Sequence, residues 1–285
     1  MPELEWGSMT PGDFQGGLRL SLSAGWNQTA EDWSLIHSLN PQGCFVARHR
    51  GDVIATVCAL EYGPEMGWIG MMLVDSAYRG MGIATRLMEK ARQALAGQQT
   101  VQLDATPAGQ PVYRRLGFKE SFGLVRMVGE AGDHSRETAV DGVLRPMGPS
   151  DLETIAASDQ EIFKGSRGKL LEGLMRMAPE YASVLVRGET IGGYVFGRHG
   201  AKFETIGPLV AGDLPVAKAL CGAALEKMGR RPVAMDVPEA SGAWSAHLAS
   251  LGMKVERPFR RMFLGEAPSP LPDERLFAIA GPELG

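Results

Sequence analysis

The chain has no run of apolar residues near the roughly 18 that a membrane-spanning helix requires, and its first residues are acidic rather than basic. A membrane partner or a secretory leader is therefore not expected, and the expected location is cytoplasmic. Cysteine is scarce: Cys44, Cys58 and Cys221 are an odd number with no C-x-x-C spacing. They read as buried free thiols of a reducing compartment rather than as disulfides or zinc ligands. The five histidines form no H-x-x-x-H or H-x-H pair, so no metal site is expected. Basic residues are not in excess, and the formal net charge is −4. No overall positive field draws in nucleic acid or anionic lipid. Two well-known phosphate loops are also missing. No Lys-Ser or Lys-Thr follows a glycine loop as a Walker sequence needs, and the one G-x-G has Thr85 where a dinucleotide fingerprint needs its third glycine.

What the chain does have is an ordinary globular composition, 44% hydrophobic and 22% charged, over 285 residues, enough for two domains. Its most informative stretch runs from Trp68 to Leu95. Trp68 to Val74 reads as a buried strand. Arg79-Gly80-Met81-Gly82 reads as a turn. Ile83, Ala84, Leu87, Met88, Ala91, Ala94 and Leu95 recur at helical spacing. A strand, a glycine turn and a helix start together make an anion cradle. Glycine lets the backbone approach closely and take positive φ, and the unpaired N–H groups of a first helical turn attract negative charge. Arg79, Arg86, Lys90 and Arg92 cluster nearby and could meet phosphates.

Arg79-x-x-Gly82-x-Ala84 directly after a strand resembles the R/Q-x-x-G-x-G/A signature of the GNAT superfamily of acyl-CoA-dependent N-acyltransferases. Further features are similar to that family. Cys44–Ala47 and Val53–Leu60 flank a turn at Arg50-Gly51-Asp52, a hairpin signal. Val101–Ala105 reads as a strand, and Tyr113 stands four residues before Gly117-Phe118. The resemblance covers roughly residues 8–128.

The chain then repeats itself. Met9-x-Pro11-x-Asp13 returns as Met147-x-Pro149-x-Asp151, and Arg50-Gly51-Asp52-x-Ile54 as Arg187-Gly188-Glu189-x-Ile191. Ile69-Gly70 with Leu73-Val74 returns as Ile206-Gly207 with Leu209-Val210. Leu116-Gly117-Phe118 returns as Leu251-Gly252-Met253, and Arg126-Met127 as Arg261-Met262, all at an offset of 135–138. Such order at a near-constant offset indicates a duplicated domain, and the whole resembles tandem GNAT proteins. The expected fold is α/β in class: two GNAT-like domains, each a mixed, mostly antiparallel sheet flanked by helices, with a splayed pair of central strands. The expected divisions are a catalytic domain at 1–128, a linker at 129–142, a degenerate copy at 143–265 and a tail at 266–285. The second copy has Asp213 and Pro215 where the cradle should be, and Leu248 at the position of Tyr113. It should bind no cofactor, and would wall the acceptor pocket or form a dimer contact. In the tail, Pro268, Pro270 and Pro272 predict an extended segment, and Leu276–Ala280 is apolar enough to dock on a domain.

The resemblance implies acetyl transfer from acetyl-CoA, bound as co-substrate, to a primary amine of a small molecule or amino acid by direct attack in a ternary complex. The alternative is an acyl-CoA-binding sensor or scaffold without chemistry. By that resemblance, Arg79, Gly80, Met81, Gly82, Ile83, Ala84 and Thr85 would hold the pyrophosphate. The backbone of Leu73 and Val74 would pair with the pantetheine arm, and Thr106 stands where the family often has a cofactor-touching Asn. Tyr113 would protonate the departing thiolate. A phenol near pKa 10 is uphill of a thiol near 8.5 by roughly 2 kcal/mol in water, a gap that a dry site can close. Candidate bases are Glu65 and Asp104, with Glu61 as a further carboxylate. Trp26, Asn27 and Trp33 are the candidate acceptor contacts, since indole faces favour cations and aliphatic stems. A homodimer is possible.

Overall fold

Alternation of polar and apolar residues, glycine turns and helical stripes translate into two copies of one element order. The computed structural model describes residues 3–130 and 140–285; most of the expected linker, residues 131–139, lies outside them. The front half runs β1 (Glu5–Ser8), α1 (Phe14–Ser23), α2 (Ala30–Leu39), β2 (Cys44–His49), β3 (Asp52–Glu61), β4 (Met66–Val74), α3 (Ile83–Ala94), β5 (Thr100–Ala105), α4 (Gln110–Arg115) and β6 (Lys119–Glu130). The back half repeats it as β7 (Val143–Pro146), α5 (Leu152–Phe163), α6 (Gly168–Met177), β8 (Ser183–Arg187), β9 (Thr190–Arg198), β10 (Glu204–Ala211), α7 (Leu214–Met228), β11 (Pro232–Pro238), α8 (Gly242–Ser250) and β12 (Lys254–Gly265), with an added β13 (Leu276–Ala278). The repeated Met-x-Pro-x-Asp motifs open matching turns. Asp13 accepts from Thr10 N at 2.7 Å, and Asp151 accepts from Gly148 N at 2.7 Å.

All the described strands join one sheet, in the order β1-β2-β3-β4-β5-β12-β6-β11-β10-β9-β8-β7, with β13 on β10. The centre of that order is an exchange. Both neighbours of β6 are back-half strands, and both neighbours of β12 are front-half strands. A division at residue 128 therefore separates the chain by sequence but not by hydrogen bonding. The exchange is locked by two equivalent buried pairs. Arg126 grips Asp236 across β6 and β11 at 2.8 and 2.7 Å, and Arg261 grips Asp104 across β12 and β5 at 2.9 and 2.9 Å. These arginines are the repeated Arg-Met positions. Both forks are bidentate and charge-assisted, which fixes register as well as adding attraction.

In each half the two central parallel strands pair only at one end. β4 and β5 pair from Met66↔Thr100 to Trp68↔Gln102 and then splay. β10 and β11 pair from Glu204↔Val233 to Ile206↔Met235 and then splay. In the back half β13 fills the opening. Ala278 pairs with Leu209, Leu276 with Val210, and Ile279 N donates to Asp236 O at 3.0 Å. The tail continues to the front half, where Trp68 Nε1 donates to Pro282 O at 3.2 Å and Tyr62 Oη to Leu284 O at 2.9 Å. The repeated Ile-Gly now has a physical reason. A Cβ on Gly207 would lie 2.0 Å from Ile279 O, and one on Gly70 would lie 2.6 Å from Glu283 O. The tail is thus docked on both halves, and Arg198 ties it down by pairing with Asp32 of α2 and with Glu283.

Candidate active site

Helix α3 presents Ile83, Leu87, Met88 and Ala91 to the core, a stripe that seats it on β2, β3 and β4. Its N-terminus is set by glycine. Gly80 and Gly82 have φ of +79° and +77°, and a Cβ at either would meet nothing within 4 Å. The turn is therefore glycine for its backbone angles, and the space above it is open. Among the described residues no side chain caps α3. The first-turn N–H groups thus have no intrahelical partner and favour an anion. Arg79 steadies the turn through Nε to Val74 O at 3.2 Å.

This helix end opens on a cavity of about 650 Å³, whose wall includes Leu73, Val74, Arg79, Gly80, Gly82, Ile83, Ala84, Thr85, Thr106, Tyr113 and Trp26. Residues separated by up to 87 positions in the sequence reading thus share one wall. Met81 is 42% exposed and does not join it. Of the four basic residues that cluster by sequence, only Arg79 lines the cavity. Arg86 lies over the Trp6 ring at 4.1 Å, Lys90 over Phe45 at 5.7 Å, and Arg92 faces a separate surface hollow. Helical periodicity turns them off the α3 N-terminus. Arg115 and Arg257 line the wall instead. Arg115 lies two residues beyond Tyr113, but nothing in the sequence marked Arg257, which comes from the back half.

A second cavity of about 150 Å³ adjoins the first, sharing Trp26, Met72, Thr106, Gly109, Tyr113 and Arg257. It lies in the splay, between Ile69–Met72 of β4 and Leu103–Asp104 of β5. A bulge opens that side. Thr56 pairs with Leu73 and Cys58 with Gly70, so β4 carries an extra residue, and Met71 has φ of +54° with its carbonyl accepting from Thr56 Oγ1 at 2.8 Å. A bulge leaves one residue out of the ladder and re-aims the strand. Tyr113 stands at the junction of the two cavities. Gly109 makes room for its ring, since a Cβ there would lie 2.9 Å from Cε2, and Phe118 meets the ring edge-on at 6.0 Å. Among the described residues nothing hydrogen-bonds its hydroxyl. Burial pushes the phenol up to about 12, so it is a held proton at neutral pH.

The other predicted side chains lie as follows. Asp104 lines the small cavity, but both its oxygens are engaged by Arg261. Burial raises its carboxyl above the ordinary value even with that guanidinium against it. The equivalent pair Asp236–Arg126 in the back half marks this arrangement as a strand lock. Glu65 does not join the site. It precedes β4 whereas Val74 ends it, and nine strand residues span about 25–30 Å. Glu65 lines a different cavity, under the proline-rich tail. Glu61 is exposed beside Asn40. Trp26 lines both cavities. Asn27 instead clamps the back half: its Nδ2 donates to Phe203 O at 2.8 Å, and its Oδ1 accepts from Lys202 N at 2.8 Å and Phe203 N at 2.9 Å. Trp33 is fully buried in the core with Nε1 toward Ser21 Oγ. Their spacing in a loop and helix start could not separate one wall-lining indole from a core one.

The small cavity holds charges that no local pattern disclosed: Arg126, Arg257 and the tail residue Glu283. Burial alone would raise the Glu283 carboxyl, but the charge of Arg198, a backbone hydrogen bond and the charge of Arg126 together hold the group below its ordinary value.

Comparison with known proteins agrees with this architecture. Residues 14–118 match the Acetyltransferase (GNAT) family and residues 155–278 the Acetyltransferase (GNAT) domain. The chain is 25% identical over 278 residues to the uncharacterized N-acetyltransferase YitH of Bacillus subtilis (strain 168), covering 95% of this chain and 94% of that protein. It is 24% identical to the holothin acyltransferase of a Pseudoalteromonas species, covering 93% and 89%. A putative acetyltransferase from Pyrococcus horikoshii superposes with a TM-score of 0.83 at 20% identity, over 99% of this chain and 96% of that one. With a GNAT match in each half, the chain belongs to the GNAT acetyltransferase family and carries two GNAT domains.

Proposed function

We propose that this enzyme moves an acetyl group from acetyl-CoA to a primary amine of a small molecule or amino acid by direct attack in a ternary complex. The observation that supports it most is the meeting, on one cavity wall, of the bare α3 N-terminus, the splayed end of β4 and the Tyr113 hydroxyl. Acetyl-CoA, when bound, supplies the thioester that is cleaved. The N–H groups around Gly80–Thr85 hold its pyrophosphate, each hydrogen bond to the charged group contributing about 1.5–3 kcal/mol. Leu73 and Val74 offer backbone groups to the pantetheine arm, and Thr106 offers a hydroxyl beside them. Trp26 and the splay place the amine against the thioester from the smaller cavity. The amine nitrogen bonds to the acyl carbon, the C–S bond breaks, Tyr113 gives its proton to the sulfur, and the proton shed by the acylated nitrogen restores the phenol by way of solvent. A raised phenol is poorly acidic in water, but the same dry wall disfavours the thiolate, which narrows the gap. Neither Asp104 nor Glu65 is placed as a free base, so the amine reacts in its neutral form after losing its proton to solvent.

The back half takes no cofactor in this reading. Asp213 caps α7, accepting from Val216 N at 2.9 Å, and Arg187 donates to it at 3.1 Å. A carboxylate thus stands where a pyrophosphate would, and β13 fills the slot. A thiol-release assay with acetyl-CoA and pooled primary amines tests the proposal, with Tyr113→Phe beside the parent. Turnover that survives unchanged in the variant removes Tyr113 from the mechanism. Tight CoA binding without turnover of any amine replaces the transferase with an acyl-CoA sensor.

A further inference from the structure

Arg257 is placed against its electrostatic interest. It lies directly opposite Arg126 in the β12–β6 register, beside an irregularity that leaves Glu256 unpaired. Like charges facing one another across strands are destabilising, and a bulge beside a site commonly re-aims a side chain. The surrounding guanidiniums are committed: Arg126 to Asp236, Arg261 to Asp104, and Arg198 to Asp32 and Glu283. Among the described residues Arg257 has only Glu256 as an ion-pair partner, at 3.7 Å, and its buried Nε has no hydrogen-bond partner. Its guanidinium packs over Phe259 at 5.1 Å, and the side chain keeps 28% exposure while lining both cavities beside Tyr113. Gln28, 5% exposed, also lines the small cavity, and among the described residues its buried Oε1 has no partner. The cavity lining therefore holds a cation short of an anion and an acceptor short of a donor.

We propose that Arg257 binds a carboxylate carried by the acceptor, so that the acceptor is an amino acid or a closely similar amine rather than a simple alkylamine. The proposal rests on the acetyl-transfer reading above and names the substrate class of that site. A carboxylate matches the planar fork of a guanidinium, and the amine of the same small molecule supplies the N–H that Gln28 lacks. The other anion within reach is a cofactor phosphate, because Arg257 also borders the large cavity.

The test measures kcat/KM with acetyl-CoA for the proteinogenic L-amino acids and for the amines that remain when their carboxyl group is removed. The parent, Arg257→Gln and Arg257→Lys are compared, with CoA affinity read by calorimetry. The parent is expected to prefer amino acids over the matched amines by at least about tenfold. Arg257→Gln should narrow that preference by about 10–100-fold, with CoA affinity unchanged and partial recovery in Arg257→Lys. Equal or better use of the decarboxylated amines by the parent overturns the proposal, as does a parent that binds CoA but acetylates none of the panel. A variant that weakens CoA while keeping the amino-acid preference also overturns it, and gives the guanidinium to the cofactor. A parent with no CoA affinity sinks the transfer reading itself, a result distinct from the other three.

Discussion

Helices α3 and α7 are the same element in the two halves, and their N-termini have opposite fates. At α3 two glycines with positive φ leave the first-turn amides bare before a cavity of about 650 Å³. At α7 the Asp213 carboxylate satisfies the first turn and Arg187 neutralises it. The adjoining slots differ in the same sense. The splay of β4 and β5 opens on cavities, whereas the splay of β10 and β11 holds β13, with Trp244 Nε1 donating to Phe277 O at 2.9 Å. One duplicated fold thus offers a ligand slot in one copy and fills it with its own chain in the other. The filled copy still contributes to the first, since β12 and the tail supply Arg257, Phe259, Pro282 and Glu283 to the small cavity. At the repeat offset Arg257 falls on Phe122, so the two copies present different chemistry at the equivalent strand position.

The sharpest way to break this comparison is Tyr113→Phe. Loss of a positioned proton donor should lower kcat by about 10²–10⁴-fold, while the position it matches in the back half, Leu248, is plain core. A kcat within a few-fold of the parent would make the two positions alike. Next in size is Arg198→Met, which leaves Asp32 and Glu283 buried without their cation. Removing one partner of a buried pair costs about 3–5 kcal/mol, or roughly 10 °C in Tm for a chain of this length. A smaller shift by calorimetry would mean that Arg198 is not what holds the tail in place. Gly82→Val places a branched side chain at φ +77°. Strain of about 1–3 kcal/mol should weaken CoA binding roughly 5–100-fold, whereas Gly229→Val at the far end of α7 should leave CoA affinity alone.

Two finer measurements concern stoichiometry and pH. Calorimetry should count one CoA per chain, and Asp213→Gly with Pro215→Ala should still give one, because β13 continues to fill the slot; a second equivalent would end the distinction between the halves. The raised phenol predicts a proton retained to alkaline pH. A Tyr near its ordinary value would lose its proton as pH rises through 10, removing the donor. With Tyr113 pushed up to about 12, kcat should show no falling limb between pH 7 and 10.5. A limb centred near 10 would place the phenol in water.

Much of this was legible along the chain. The period of α3, the glycines before it and the strands around it are local patterns, and β4, α3 and β5 fall within two residues of their expected bounds. The repeats were legible as well, although their reasons were not. Arg126 and Arg261 recur because each locks an exchanged strand, and Gly70 and Gly207 because the tail passes close to both. Asn27 and Trp33 turn to the back half and the core rather than to the cavities, and composition does not say which way a side chain faces. Glu65 lies apart from Tyr113 because a strand that is short in sequence is long in space.

The sequence by itself determined that two GNAT domains follow one another and that only the first keeps a glycine cradle, since backbone angle and hydrophobic period are local properties written in consecutive residues. The tertiary structure alone decided which strands neighbour one another, that the tail fills the back slot, and that Arg257 lines the same cavities as Tyr113. Those relations join residues from tens to more than a hundred positions apart, and they are settled by register, buried ion pairs and space, for which neighbouring residues carry no signal.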